Sequence, residues 1–431
     1  MSFISIQQAM KRGKGKVAIR GWVYRERGSN KVKFIVLRDS TSRIQCVIKK
    51  DDFSKKKWKQ ADSLQIEASM EIKGTIKKDK RAPTGYDVSV SDFKIVGFSD
   101  TYPITKDQSS EFLLDKRHLW LRSRRMTAIM KVRSAYIQAR DEFFKKEGFY
   151  RFDAPILQPS QCEGGSTLFE VKYYGNKTYL SQSWQLYAEA AVFALEKIYN
   201  MGPTFRAEKS KTSRHLSEFW MAETEVAWFD LHDITEFAKK EIKYCVKKVA
   251  KECAEELKFL GRDPKKLLKI ADKKWPTIKY RDALKVLKEK AKVNISFGKD
   301  LRTIEEDKLM DHFDTPIVVT HYPKEIMAFY KPTDSKHPDE ALCFDMLAPE
   351  GYGELVGGSQ RSTDIEEMRK ALKKEGEDIK SYEWYFDLRK YGSVPHAGYG
   401  VGVERVVAWI CGLENIKDAI PFPRTMLRWK P

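Results

Sequence analysis

The chain has no apolar run near the roughly 18 residues that a membrane helix requires, and no apolar signal core at its N-terminus. Both absences set the expectation of a cytoplasmic protein with no membrane segment. Its six cysteines, Cys46, Cys162, Cys245, Cys253, Cys343 and Cys411, are scattered without a CxxC pair. That spacing argues against zinc or a disulfide framework and for reduced, mostly buried thiols. There is no GxxxxGK[ST] loop, no HExxH and no GxSxG, so a P-loop, a zincin helix and a hydrolase elbow are excluded. If such a chain uses a nucleotide, arginines and a metal on an antiparallel sheet must hold it. Internal repeats and low-complexity tracts are also missing.

What is present is a chain of 431 residues, long enough for two or three domains, with 42% hydrophobic and 12% aromatic residues. The formal charge of +19 points to an anionic partner, most simply nucleic acid, although a lysine-rich proteome alone accounts for it equally well. The first hundred residues alternate as short strands: "KVAIRGWVY", "VKFIVLR", "RIQCVI", "LQIEASMEIKGTI" and "DVSVSDFKIVG". The helix-prone "SKKKWKQAD" lies between the third and fourth. Five strands with a helix in that gap predict an OB-type barrel over residues 1–100, with a small sandwich as the alternative. A linker or hinge follows over 101–124, including "TYPITKDQSS".

Residues 125–431 read as a second, larger domain. It opens with an amphipathic helix carrying Met126, Ile129, Met130, Ala135, Tyr136, Ala139 and Phe143 on one stripe, stopped at Gly148. A strand in "FYRFDAPIL" contains Pro155, which suits a sheet edge or a subunit boundary. A lysine-rich helical insertion is expected at about 231–300. Strands return with "TPIVVTHYP", "LCFDML" and "GELVGGSQ", then a helix over about 363–374 and the glycine-rich "HAGYGVGVERVVAWICGL".

Three stretches carry chemistry. In "FRAEKSKTSRHLSEFW", Arg206, Lys209, Lys211, Arg214 and His215 crowd one hairpin beside Glu208 and Glu218. A turn centred on Thr212 opposes residues whose numbers sum to 424, which sets Arg206 against Glu218. Taken alone the cluster is an ordinary surface ion-pair group; a phosphate would also match the guanidinium fork. Second, a turn at Pro349–Glu350 opposes Asp345 and Glu354, and facing carboxylates repel unless a cation sits between them. Third, "GYGVGVER" brings small residues up to a helix whose Arg405 reaches for a phosphate or a base.

Together these stretches resemble motifs 2 and 3 and the metal-binding strands of the class II aminoacyl-tRNA synthetases, in the aspartyl, asparaginyl and lysyl subgroup. The Met126–Lys146 helix with Pro155 resembles motif 1, and "LLDKRHLWLR", "CEGGST", "SQSWQLY" and "ELVGGSQR" also match. The resemblance spans nearly the whole chain. It implies an α+β fold: an N-terminal OB barrel that reads the anticodon, joined to a class II catalytic domain with a mainly antiparallel sheet flanked by helices. It also implies ATP as substrate, Mg²⁺, a tRNA partner and a homodimer.

Carried over by position, Arg206 grips the α-phosphate, Arg214, His215 and Arg405 the distal phosphates, and Phe219 stacks on adenine beside Glu208. Arg206, Arg405 and Glu354 are the expected catalytic set, and Asp345 and Glu354 the metal ligands. Ser183 and Gln185 hold the substrate amino group under a loop carrying Glu163. In the barrel, Phe34 would stack on an anticodon base beside Arg27 and Gln45, although barrel core is the plainer reading of Phe34 by itself. Two positions bear on the amino acid. Aspartate-specific members place a lysine where this chain has Ala188, and an aspartate where it has Glu223. The missing cation and the available carboxylate favour L-asparagine and tRNA(Asn), with Arg361 donating to the side-chain carbonyl. The stretch from Tyr385 to Leu413 also resembles the archaeal type of asparagine-specific member. The rivals are an aspartate-specific or dual-specificity member, and an asparagine synthetase paralogue, against which the barrel argues.

Overall fold

The computed structural model describes residues 2–163, 167–210, 212 and 214–431, so Lys211 and the centre of "CEGGST" lie outside the description. The chain divides into two compact units, Met1–Leu113 and Leu114–Pro431.

In the first unit, β1 (Gly15–Gly28), β2 (Val32–Arg38), β3 (Arg43–Lys49), β4 (Ser69–Lys78) and β5 (Tyr86–Gly97) close a barrel in the order β1-β2-β3-β5-β4. Alternation explains it: Val17, Ile19 and Val23, then Ile35 and Leu37, then Ile44, Cys46 and Ile48, all point inward and are buried. Closure leaves no open sheet edge. The predicted helix is Lys55–Asp62, capped by the Ser54 hydroxyl, with Trp58 and Ala61 turned into the core. A bulge between Val23 and Arg25 changes the parity of β1. Trp22 before it and Arg25 and Arg27 after it therefore all lie on the outer face, with Tyr24 the extra residue between them.

The second unit is built on an eight-stranded sheet. Its strands are β6 (Tyr150–Arg151), β10 (Lys197–Phe205), β11 (Glu218–Ala227), β12 (Thr277–Lys279), β13 (Ile317–Thr320), β14 (Cys343–Ala348), β15 (Gly353–Gln360) and β16 (His396–Gly402). The order is β12-β13-β14-β15-β16-β11-β10-β6, antiparallel except for the two outermost pairs. A small sheet of β7 (Leu157–Gln158), β8 (Glu170–Tyr173) and β9 (Asn176–Leu180) stands beside it. The helices Arg124–Lys146 and Leu231–Glu252 supply the apolar layer on one face of the large sheet. Between them Arg140 and Glu241 form a wholly buried ion pair at 2.8 Å, and Arg140 also donates to the Asn200 and Glu223 carbonyl oxygens, tying helix to sheet. In the lysine-rich stretch after Leu231, Ile234, Ile242, Val246 and Val249 are core residues.

Three expectations need correction. "FYRFDAPIL" is no continuous strand: β6 ends at Arg151 and β7 starts at Leu157, with Pro155 between them, because proline offers no ladder N–H. The β10–β11 hairpin pairs residues whose numbers sum to 423, so Glu218 faces Phe205, and the Arg206 N–H donates to the Ser217 carbonyl. In β14–β15 a shift between Met346 and Leu347 sets Glu354 against Leu347 and Asp345 against Gly357.

Candidate active site

The first of these register changes decides what the hairpin presents. Had Arg206 faced Glu218, Phe219 would point to the opposite side of the sheet, since one residue of slip inverts a strand's faces. With the observed pairing Arg206 shares a face with Phe219, Met221, Glu223 and Glu225, and its guanidinium lies 5.6 Å from the Phe219 ring centre.

Across that face runs one row of directly opposed residues: Asn200 on β10, Glu223 on β11, Gly400 on β16, Gly357 on β15 and Asp345 on β14. Carboxylates stand towards the two ends and two glycines floor the middle. A Cβ at Gly400 would lie 3.1 Å from the Met221 sulfur, and one at Gly357 would lie 2.7 Å from Glu354 Oε1 and 3.5 Å from Asp345 Oδ1. The glycines of "GYGVGVER" are thus strand residues that keep a trough open, and the helix Val403–Cys411 follows them with Arg405 in its first turn.

Over one part of the trough is a cleft of about 250 Å³ lined by Arg206, Glu208, Arg214, His215, Phe219, Glu354 and Arg405 among others. The sequence had named all seven. Arg206 Nε and Arg214 Nη1 are buried donors with no hydrogen-bond partner among the described residues. An unsatisfied buried donor is costly, so both are poised for an acceptor that enters the cleft. Arg214 is anchored by a two-pronged contact to Asp307 at 2.8 and 3.0 Å, and Arg405 by the Glu354 carboxylate at 3.2 Å. Burial, then the Arg405 charge, lowers the His215 pKa, so the ring is neutral near pH 7; it is hydrogen-bonded to Thr212.

At the Asp345 end the acids accumulate. Burial, followed by the Glu354 charge, raises the Asp345 pKa, and burial with Glu354 raises Glu306 to about 7. Asp300 is raised by burial too. Lys331 approaches the group and offsets part of its charge. Two carboxylates converging over a glycine, with further acids behind them, are a donor set suited to a hard divalent cation.

The Glu223 end is different. Glu223 is buried and accepts from the Ser183 hydroxyl and from the Trp184 N–H at 2.9 Å, with no ion-pair partner among the described residues. Burial lifts its pKa to about 7, against the pull of those two hydrogen bonds. Arg361 is clamped by Glu225 at 2.8 Å through both Nε and Nη2, and by the Ser359 hydroxyl. Glu189, wholly buried, accepts from Gln185 Nε2 at 2.9 Å, Tyr385, Arg389 and His396, and lies 3.9 Å from Arg361. Burial would raise its carboxyl, but the Arg389 charge, the His396 hydrogen bond and Arg361 outweigh it and hold the group far below the usual range. Glu163 accepts from the Tyr330 hydroxyl at 2.7 Å, and Arg361 lies over the same Tyr330 ring. Ala188 is buried in an apolar cluster with Trp184 and Val192.

Nothing in the sequence pointed to Glu189, Glu225, Arg389, His396, Glu306 or Asp307. They come from separate elements and gain meaning only when folded together. In the barrel, Phe34 is half-buried on the outer face, where Arg27 lies 5.5 Å from its ring and donates to Gln45 at 3.4 Å, so those three do meet. The core reading of Phe34 fails because β2 turns Ile35 and Leu37 inward instead.

Residues 109–426 match the family of class II tRNA synthetases (D, K and N), and residues 17–96 match the OB-fold nucleic acid binding domain. The asparagine–tRNA ligase of Thermoplasma acidophilum is 46% identical over 416 residues, 96% of each chain, and that of Thermococcus kodakarensis is 47% identical over the same share. The crystal structure of asparaginyl-tRNA synthetase from Pyrococcus horikoshii complexed with asparaginyl-adenylate superimposes with a TM-score of 0.96, at 42% identity over all of both chains.

Proposed function

Because the chain belongs to the class II tRNA synthetases of the aspartate, lysine and asparagine group, we propose a mechanism for it as an asparagine–tRNA ligase. It ligates L-asparagine to tRNA(Asn) in two steps. The asparagine carboxylate attacks the α-phosphorus of ATP and pyrophosphate leaves, forming asparaginyl-adenylate. The 3′-terminal ribose hydroxyl of the tRNA then attacks the acyl carbon, and AMP departs.

Roles follow from the trough. Arg206 donates to the α-phosphate and to the charge that builds there, an effect typically worth ~10²–10³ in rate. Arg214, His215 and Arg405 hold the distal phosphates, while Phe219 stacks on adenine beside Glu208. Ser183, Gln185 Oε1 and Glu163 receive the substrate ammonium, and the Ser183 hydroxyl also donates to Glu223. Glu223 accepts from the side-chain amide and Arg361 donates to its carbonyl oxygen. The observation that carries the choice of asparagine is Glu223, a buried carboxylate without an ion-pair partner among the described residues: a substrate aspartate would set two like charges together in a dry site.

Asp345 and Glu354, converging over Gly357, fit Mg²⁺. When bound it neutralises phosphate charge and orients the pyrophosphate leaving group. On the outer face of the barrel Phe34, Arg27 and Gln45 take an anticodon base. The chain works as a cytoplasmic homodimer; the exposed Tyr150 on the edge strand β6, and Ile156 and Leu157 beside Pro155, support that reading. Among the described residues no helix is long and apolar enough to cross a membrane.

The test is ATP–pyrophosphate exchange with asparagine and aspartate side by side, without tRNA. Exchange with asparagine alone is expected, and Arg206→Ala should abolish it while tRNA binding persists. Exchange supported by aspartate would overturn the assignment of Glu223.

A further inference from the structure

We propose that the outer face of the barrel carries a second stacking platform, built from Trp22 with Arg38 and Tyr24 with Arg43, that takes another unpaired base of the tRNA. The proposal rests on the reading that this face receives the anticodon loop, and it extends that reading to residues outside the Phe34 group.

The rows of the barrel place the two groups on one surface. Arg27, Phe34 and Val47 oppose one another across β1, β2 and β3, and Trp22, Arg38 and Arg43 form a parallel row. Phe34, Val36 and Arg38 alternate along β2, so both rows point to the same side. Four residues of strand separate them, or roughly 13 Å. The bulge at Tyr24 keeps Trp22 and Arg27 on that common side.

The two rows repeat one arrangement, an aromatic ring with a guanidinium beside it. Arg27 lies 5.5 Å from the Phe34 ring centre, and Arg38 lies 5.2 Å from that of Trp22. Glu67 fixes Arg38 at 2.6 Å. Tyr24 has Arg25 and Arg43 each at 5.6 Å. Trp22 nonetheless remains 44% exposed, so indole surface is left for a second planar group. A single exposed tryptophan means little. Placed beside Arg38, with Arg25 and Arg43 at the neighbouring Tyr24, on the face of a nucleic-acid-binding barrel, it has the chemistry of a base-stacking site: a sequence-tolerant π-surface with cations to meet the phosphates.

The experiment measures binding of labelled anticodon stem-loop transcripts to the full-length protein at fixed salt, with an abasic nucleotide moved through each loop position. Trp22→Ala should weaken the intact transcript by ~5–150-fold, the usual range for losing one stacked base, and Trp22→Phe should keep most of the binding. Wild type should be sensitive to abasic substitution at the position stacked on Trp22, and Trp22→Ala should lose that sensitivity while keeping the one due to Phe34. If Phe34→Ala weakens binding and Trp22→Ala does not, the second platform is overturned and the anticodon reading stands. If neither does, the anticodon reading itself fails. A change in mass by light scattering for Trp22→Ala, with unchanged RNA binding, would make the face a contact between copies and also overturn the proposal.

Discussion

Replacing Glu223 by glutamine should make the enzyme poorer and, at alkaline pH, more stable. Burial raises the folded-state pKa of Glu223 to about 7 from the usual 4.5. A carboxyl raised on folding contributes stability that is complete below pH 4.5 and is lost as pH rises through 7. Across pH 5 to 8 the wild-type chain therefore loses roughly 2–3 kcal/mol from this group, since each tenfold change in proton affinity is worth about 1.4 kcal/mol. Glutamine has no charge to hold in the dry site, so Glu223→Gln escapes that loss. It can accept from Ser183 or from the Trp184 N–H, but not from both in the same way, and the stranded partner costs ~1–3 kcal/mol at every pH. The two effects separate by pH: the variant should be the less stable protein at pH 5 and should equal or exceed wild type at pH 8. Thermal unfolding of both proteins at four pH values reads this as a difference that grows by a few degrees. Asparagine-dependent exchange should meanwhile fall by ~10–100-fold, the loss of one hydrogen bond to a charged acceptor. A stability difference that stays constant from pH 5 to 8 would refute the reasoning, because Glu223 would then be ionised without penalty.

Other perturbations test other parts of the trough. Gly357→Ala inserts a methyl 2.7 Å from Glu354 Oε1, so exchange should need more Mg²⁺ while the asparagine KM is little changed; an unaltered Mg²⁺ dependence would speak against Asp345 and Glu354 as the metal pair. Glu189→Gln loosens Gln185 and the Arg361 clamp together, and should raise the asparagine KM several-fold with the ATP KM unmoved. Equal effects on both substrates would reduce Glu189 to a packing role. Arg140→Leu leaves Glu241 buried without its cation and should cost ~3–5 kcal/mol in urea unfolding, and a loss under about 1 kcal/mol would show that the helix–sheet tie is dispensable.

Alternation and helical periodicity already contained the barrel, the helix between its third and fourth strands, and the long helix after Ser123, because those patterns depend only on neighbours in the chain. The site residues on "FRAEKSKTSRHLSEF" and "GYGVGVER" were also legible, since backbone and side chain there come from one local segment. Sequence arithmetic failed wherever one residue of register mattered. The pairing of Arg206 with Glu218 and the facing of Asp345 with Glu354 assume ideal hairpins, whereas the strand through Pro155 is broken for want of a ladder N–H. The bulge at Val23–Arg25, which brings Arg27 to the outer face, has no signature in residue type either.

By itself, then, the sequence determined which residue types were available and which elements carried them. Glu223 and Asp345 are written into separate strands, Arg206 into the loop just after β10, and Arg405 into a helix. Only the tertiary structure decided that Glu223, Gly400, Gly357 and Asp345 share one row, and that Glu225 and Glu189 hold Arg361 rather than face it as free charges. The reason is physical: a strand shows alternate residues to opposite faces, so function depends on register. Register is set by bulges and by contacts between segments distant in the chain, which local sequence does not encode.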